Sequence, residues 1–281
     1  MPPNTHEHET DTDTGAATNW SPDELGFPDA FGADTEPISL TAVSKTYGAL
    51  TALDSVSFRA APGECHVLVG PNGSGKTTLG RIAVGLTRPS TGSVSVPDGD
   101  IGYVFQQPRY YPRLSVRENL ATFRRAVGDE AAPREWHDRV LEPLGLSQVS
   151  HQPAADLSGG FRKKLDVAIA LLRRPPYLWL DEPLAALDPT TGGRLLQVLE
   201  AHLEAGGGII VSTHTPTAFD PILTHLTTCI DGRQLETHDL TDRSPGTPLP
   251  QWYRETIDDN ASAARSDVAV QSMFSPWSLP S

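Results

Sequence analysis

Apolar residues fall along this chain in short unbroken runs, separated by stretches whose apolar positions recur at helical spacing. Cys65–Val69 (CHVLV), Tyr177–Leu180 (YLWL) and Ile209–Ser212 (IIVS) are too short for helices and read as strands buried on both faces. Ile38–Val43, Val56–Ala60, Ser93–Val96 and Ile101–Phe105 read as further strands. Helices are predicted from Thr77 to Gly85, from Ser158 to Arg173 behind a Ser-Gly-Gly cap, and from Gly192 to Leu203. Between about Ser115 and Leu144 the helical pattern is broken at Gly128 and Pro133, which suggests a small helical insertion. Thr227–Ile230 and Arg233–Glu236 form a hairpin pattern around Asp231-Gly232. Strands alternating with helices favour an α/β fold with a mainly parallel sheet covered on both faces. No internal repeat is apparent.

Composition changes this picture mostly at the ends. Residues 1–37 hold nine of the 35 acidic residues and no Lys or Arg, so this stretch is expected to be a disordered acidic tail. Removing it takes the net charge from −13 to −4, with 26 acidic against 22 basic residues. So mild a balance argues against nucleic acid as the main partner. After about Leu240 the chain turns Pro/Ser/Thr-rich with scattered Trp252, Tyr253, Phe274 and Trp277, so 241–281 is expected to be a tail or short extension. The apolar runs are a few residues long, far below the ~20 a bilayer span needs, and the N-terminus lacks the apolar block of a signal peptide. Cys65 and Cys229 lie in apolar strands and are expected to be buried and reduced.

Candidate chemistry begins at Gly70-Pro71-Asn72-Gly73-Ser74-Gly75-Lys76-Thr77-Thr78. This is a phosphate-binding loop by spacing, and it sits where such a loop must, between a strand and a helix. Glycines let backbone N–H groups turn inward, and the helix N-terminus favours an anion. Lys76 would reach the outer phosphates and the Thr77 hydroxyl would ligate Mg²⁺. The Tyr177 strand ends in Asp181-Glu182, which places one carboxylate for the metal shell and one to polarise water. Leu157-Ser158-Gly159-Gly160 opens the strongest helix and offers a second phosphate-binding N-terminus. One nucleotide does not need two such sites. The economical explanation is that the second caps a nucleotide held by another subunit.

Taken in order, these segments resemble the ATP-binding subunits of ABC (ATP-binding cassette) transporters. The matching motifs are the loop at 70–78, Gln106 in Val104-Phe105-Gln106-Gln107, the Leu157–Gly160 signature, Asp181-Glu182, Ala186-Leu187-Asp188, and His214 in Ser212-Thr213-His214. Tyr47, in Lys45-Thr46-Tyr47-Gly48, matches the aromatic residue that stacks on adenine. The resemblance covers about residues 38–240, with the helical insertion at about 108–172. It implies a phosphate-loop NTPase core, an N-terminal antiparallel β subdomain and a small helical subdomain.

The resemblance also implies roles. ATP would be held by Tyr47, Gly70, Asn72, Gly73, Ser74, Gly75, Lys76, Thr77 and Thr78, and from the opposite subunit by Ser158, Gly159 and Gly160, with Asp188 at that interface. Mg²⁺ would be ligated by Thr77, Gln106 and Asp181, although Gln107 beside Gln106 leaves that assignment open. Catalysis would fall to Glu182, His214, Lys76 and Gln106. Phe161 stands where the commonest signature has Gln, which puts in doubt any contact made by an amide there; the catalytic set is otherwise intact.

The implied function is an ATPase that closes as a dimer, homodimeric or with a close paralogue, and drives a separate transmembrane permease from the cytoplasmic face of the membrane. The permease is expected to dock beside Gln106 and Tyr110–Asn119. Residues Ala170–Pro176 and Tyr111–Val116 lean toward a drug- or ABC-2-type exporter. The alternatives are an importer subunit, served by a substrate-binding protein, and a soluble non-transport ATPase.

Overall fold

A computed structural model describes residues 21–27, 31, 35–97, 101–128, 134–185, 187–244 and 247–252 of the chain. The strands are β1 (Ile38–Tyr47), β2 (Leu50–Ala60), β3 (Cys65–Val69), β4 (Thr91–Ser95), β5 (Ile101–Val104), β6 (Tyr177–Asp181), β7 (Gly208–Ser212), β8 (His225–Ile230) and β9 (Arg233–Asp239). The helices are α1 (Pro22–Leu25), α2 (Lys76–Ala83), α3 (Val116–Val127), α4 (Arg134–Leu141), α5 (Gly159–Leu171) and α6 (Pro189–Glu204). One sheet is antiparallel in the order β2-β1-β4; the other runs β5-β6-β7-β3-β8-β9, parallel except for β9. This is the α/β architecture expected, with the antiparallel subdomain at the N-terminus.

Side-chain alternation divides the central strands between two cores. Val67, Val69, Leu178, Leu180, Ile209 and Val211 face the larger core with α5, α6 and the helical insertion. Leu68, Tyr177, Trp179 and Ile210 face the other way, onto α2 and the antiparallel sheet. The central strands are therefore largely apolar, because neither face meets water. The α2–β6 contact is close enough to require glycine. A Cβ at Gly80 would stand 2.5 Å from the indole nitrogen of Trp179.

Several elements are longer than their sequence pattern suggested. β1 and β2 continue to a tight turn at Gly48, through bulges at Ala42 and Ser55, whose positive φ angles break the apolar alternation. Helix α6 begins at Pro189 rather than Gly192, because Asp188 caps it through the Thr191 N–H at 3.0 Å.

Part of the stretch expected to be a disordered tail is folded on the body, while residues 1–20 lie outside the described residues. Ser21 and Glu24 form a reciprocal cap on α1, and Leu25, Phe27 and Phe31 are buried in the larger core. Phe27 meets Trp136 of α4 and His202 of α6 edge-on, with ring centroids 5.2 and 5.3 Å away, and the Phe31 N–H bonds the Ala205 carbonyl at 2.8 Å. Averaged composition hid three apolar residues that fold on the body rather than alone. His202 is wholly buried among these rings, and burial drives its pKa down to about 3, so it is neutral. At the other end, Leu249 is fully buried and Trp252 packs on the same core. Tyr253, Phe274 and Trp277 lie outside the described residues.

At the start of β3 and β8, away from the phosphate loop, His66 and His225 pair in register and stack with centroids 4.4 Å apart and planes within 9°. Glu64 bonds His66 Nε2 at 2.8 Å. Parallel rings direct their lone pairs along parallel planes, so this stack does not converge on one ion. Both cysteines are free and buried, and burial raises the Cys65 thiol to about 12 and that of Cys229 to about 11.

Candidate functional site

Sheet order assembles the site. β6, β7 and β3 are neighbours and parallel, so their carboxyl ends, Asp181, Ser212 and Val69-Gly70, emerge side by side. Ligands of open α/β sheets bind at this edge. The loop leaves β3 and turns into α2 at Gly75, whose φ of 96° would strain any other residue. Lys76 folds back over the loop, donating to the Gly70 carbonyl at 2.6 Å and the Pro71 carbonyl at 3.2 Å, with Ser74 Oγ at 3.4 Å. Its ammonium is buried, which lowers its pKa from the ordinary value, while Cys229, Glu182 and Asp181 oppose that shift.

Asp181 is held at both oxygens. The Thr77 hydroxyl donates to Oδ2 at 2.8 Å and the Ser212 hydroxyl to Oδ1 at 2.7 Å. Thr77, Gln106 and Asp181 line a common cavity of about 210 Å³ with Gln107, Arg81 and Arg109. Hydroxyl, amide and carboxylate are all hard oxygen donors, a set that fits Mg²⁺.

Glu182 follows with a φ of 49°, a left-handed backbone that costs a non-glycine residue of order 1–2 kcal/mol. Its N–H is anchored to the Ser212 carbonyl at 2.9 Å. Thr213 Oγ1 donates to Oε2 at 3.1 Å, whereas among the described residues Oε1 has no hydrogen-bond partner and stands 3.5 Å from His214 Nε2. Burial raises the Glu182 pKa, while His214 and Thr213 pull it down. His214 also meets Asn72 Oδ1 at 3.1 Å, closing a path from Glu182 back to the phosphate loop.

Lys76, Thr77, Asp181, Glu182, His214, Asn72 and Gln106 are thus gathered at one edge. Tyr47 stands apart at the end of β1, 47 % exposed, with Lys45 Nζ 5.0 Å above its ring. Ser158 caps α5 through the Phe161 N–H at 3.3 Å, leaving Gly159 exposed and Gly160 partly so. Among the described residues no hydrogen bond joins Ser158, Gly159 or Gly160 to the chain's own phosphate loop, and Asp188 is spent on capping α6. Ala186 lies outside the described residues. In the expected docking stretch Tyr111 is exposed, but Asn119 is fully buried. Its side chain bonds Tyr111, Leu114 and Ser115 backbone atoms, so it shapes the loop and cannot meet a partner.

Sequence reasoning missed Ser212 and Thr213 as supports of the two carboxylates. It also missed Lys163 and Asp166, two charges inside the otherwise apolar stretch Leu165–Leu171 and its approach. Charge in a buried helical pattern was the available signal.

A glycine-rich loop, a lysine folded over it and a paired carboxylate at the edge of a parallel sheet define a phosphate-loop nucleotide-binding protein. The family profile described as ABC transporter matches residues 53–185. The Nod factor export ATP-binding protein I of Rhizobium etli is 33% identical over 231 residues, covering 77% of this chain and 73% of that protein. A dimeric bacterial ABC transporter cassette superposes with a TM-score of 0.65 at 28% identity, covering 72% of this chain and 98% of the cassette. A post-hydrolysis dimeric cassette bound to ADP and Pi superposes with a TM-score of 0.64, also at 28% identity, over 72% of this chain and 98% of its own. The chain belongs to the family of ATP-binding subunits of ABC transporters. Among the described residues no helix is long and apolar enough to cross a membrane.

Proposed function

We propose that this subunit hydrolyses Mg·ATP as a head-to-tail dimer and drives a separate transmembrane permease in export. The observation that carries the reading is the Glu182 carboxylate, held at one oxygen by Thr213 and left open toward His214 at the other, beside the Thr77–Asp181 pair. Lys76 would exchange its loop carbonyls for phosphate oxygens. Mg²⁺, held by Thr77, Gln106 and Asp181, would offset phosphate charge. Glu182 would take a proton from the attacking water, with His214 fixing the outer phosphate and Asn72 keeping His214 turned inward. Ser158–Gly160 would close over the nucleotide of the opposite subunit, which accounts for the lack of a hydrogen bond to their own phosphate loop among the described residues. Export is supported by the name of the Rhizobium etli relative, and membrane attachment would come through the permease.

ATP turnover by the purified chain, alone and with Glu182→Gln, tests this. The substitution is expected to slow hydrolysis roughly 10²-fold or more while ATP still binds, and to accumulate an ATP-bound dimer on gel filtration. Normal turnover by a variant that stays monomeric would remove Glu182 from the role of base.

A further inference from the structure

The loop that carries Gln106 is held by charge, and the charges come from α5. Lys163 donates to the Phe105 carbonyl at 2.6 Å, to the Gln106 carbonyl at 3.3 Å and to the Asp181 carbonyl at 3.3 Å. Asp166 accepts the Phe105 N–H at 2.8 Å through Oδ2 and the Arg109 N–H at 2.9 Å through Oδ1. The two side chains stand three residues apart, on one face of the helix. They grip the loop at both ends and leave the Gln106 and Gln107 side chains exposed toward Thr77 and Asp181.

Both groups are buried, Lys163 at 4 % and Asp166 at 2 % exposure. Burial works against each charge, lowering the lysine pKa and raising that of Asp166 to about 6. Such a couple of buried charges seldom stabilises a fold more than well-packed apolar residues would. What it supplies here is direction, because charge-assisted bonds fix backbone groups that solvent would otherwise satisfy in many arrangements. The same thirteen-residue helix begins at the Ser158–Gly160 segment.

We infer that Lys163 and Asp166 are positioning residues that lock the Gln106 loop to α5, so that a ligand engaging Ser158–Gly160 moves Gln106 as part of the same body. The role in turnover rests on the proposed ATPase activity; the clamp itself does not.

Lys163→Met and Asp166→Asn in the full chain test the proposal, read by amide exchange over residues 105–109 without nucleotide, ATP binding, and steady-state kinetics. Both variants are expected to speed exchange of this segment at least tenfold, to keep the ATP Kd within about twofold, and to lower kcat at least tenfold at unchanged KM. Lys163→Arg keeps the cation and is expected to restore wild-type exchange and turnover. Unchanged exchange in both variants overturns the clamp, as does a raised KM with kcat intact. Loss of the folded near-UV spectrum in both variants also overturns it, since the charges would then be core supports. If the wild-type chain hydrolyses no ATP, the functional reading fails and the exchange rates alone decide the clamp.

Discussion

The Thr77 hydroxyl and the Asp181 carboxylate meet at 2.8 Å although 104 positions separate them in the chain. Thr77 lies in the first turn of α2 and Asp181 ends β6, so their contact is made by the pairing of β6 with β7 and of β7 with β3. The bond orients a carboxylate that Ser212 holds from the other side.

Thr77→Val is expected to leave Mg²⁺-free nucleotide binding nearly unchanged and to weaken Mg²⁺-dependent binding at least tenfold. The hydroxyl is both a hard oxygen donor and the partner of Asp181 Oδ2, and stranding that buried oxygen costs about 1–3 kcal/mol. Nucleotide titrations with and without Mg²⁺ check this; equal losses in both would show that Thr77 acts on the loop instead.

Tyr47→Ala is expected to raise the apparent KM for ATP with little change in kcat. The ring is half exposed and makes none of the Glu182 contacts, so stacking on a base would be felt equally before and during reaction. A large loss of kcat at constant KM would assign the ring a structural role.

Phe27→Ala is expected to destabilise the protein by about 3 kcal/mol, the usual cost of emptying a buried phenylalanine site. At this size that is a fall in Tm of roughly 6–12 °C by calorimetry. Deleting residues 1–31 should lower Tm in the same direction, because it uncovers Trp136 and His202. A truncated chain melting with the full one would show that α1 contributes no docking energy.

Glu64→Gln is expected to lower Tm most near neutral pH. The bond from His66 holds the Glu64 carboxyl down at about 2, against an ordinary 4.5. A depressed carboxylate contributes stability above its unfolded value and loses it as pH falls toward the folded one. The gap in Tm between wild type and variant should therefore be full above pH 4.5 and shrink steadily between 4.5 and about 2. His66, whose pKa burial lowers while Glu64 holds it up, adds an acid sensitivity of the same sign beginning near pH 6.5, and the variant, lacking that carboxylate, carries more of it. Scanning calorimetry from pH 7 to 3 checks the narrowing; a constant gap would exclude titration of Glu64 as its source.

The phosphate loop, the signature cap on α5 and the apolar strands were legible in the sequence because each is local. A glycine's φ, a serine cap or a strand buried on both faces depends on residues within a few positions, so spacing alone specifies them. What joins Thr77 to Asp181, or His214 to Asn72, is the order β6-β7-β3, and no local pattern encodes which strands become neighbours. The same limit hid the roles of Lys163 and Asp166, whose partners are backbone groups of a loop about 60 residues earlier. It also hid α1, where a strongly acidic composition outweighed Leu25, Phe27 and Phe31. Those three could not form a core alone, and only the tertiary structure brought Trp136 and His202 together to receive them, because burial of so short a segment depends on a surface assembled from distant parts of the chain.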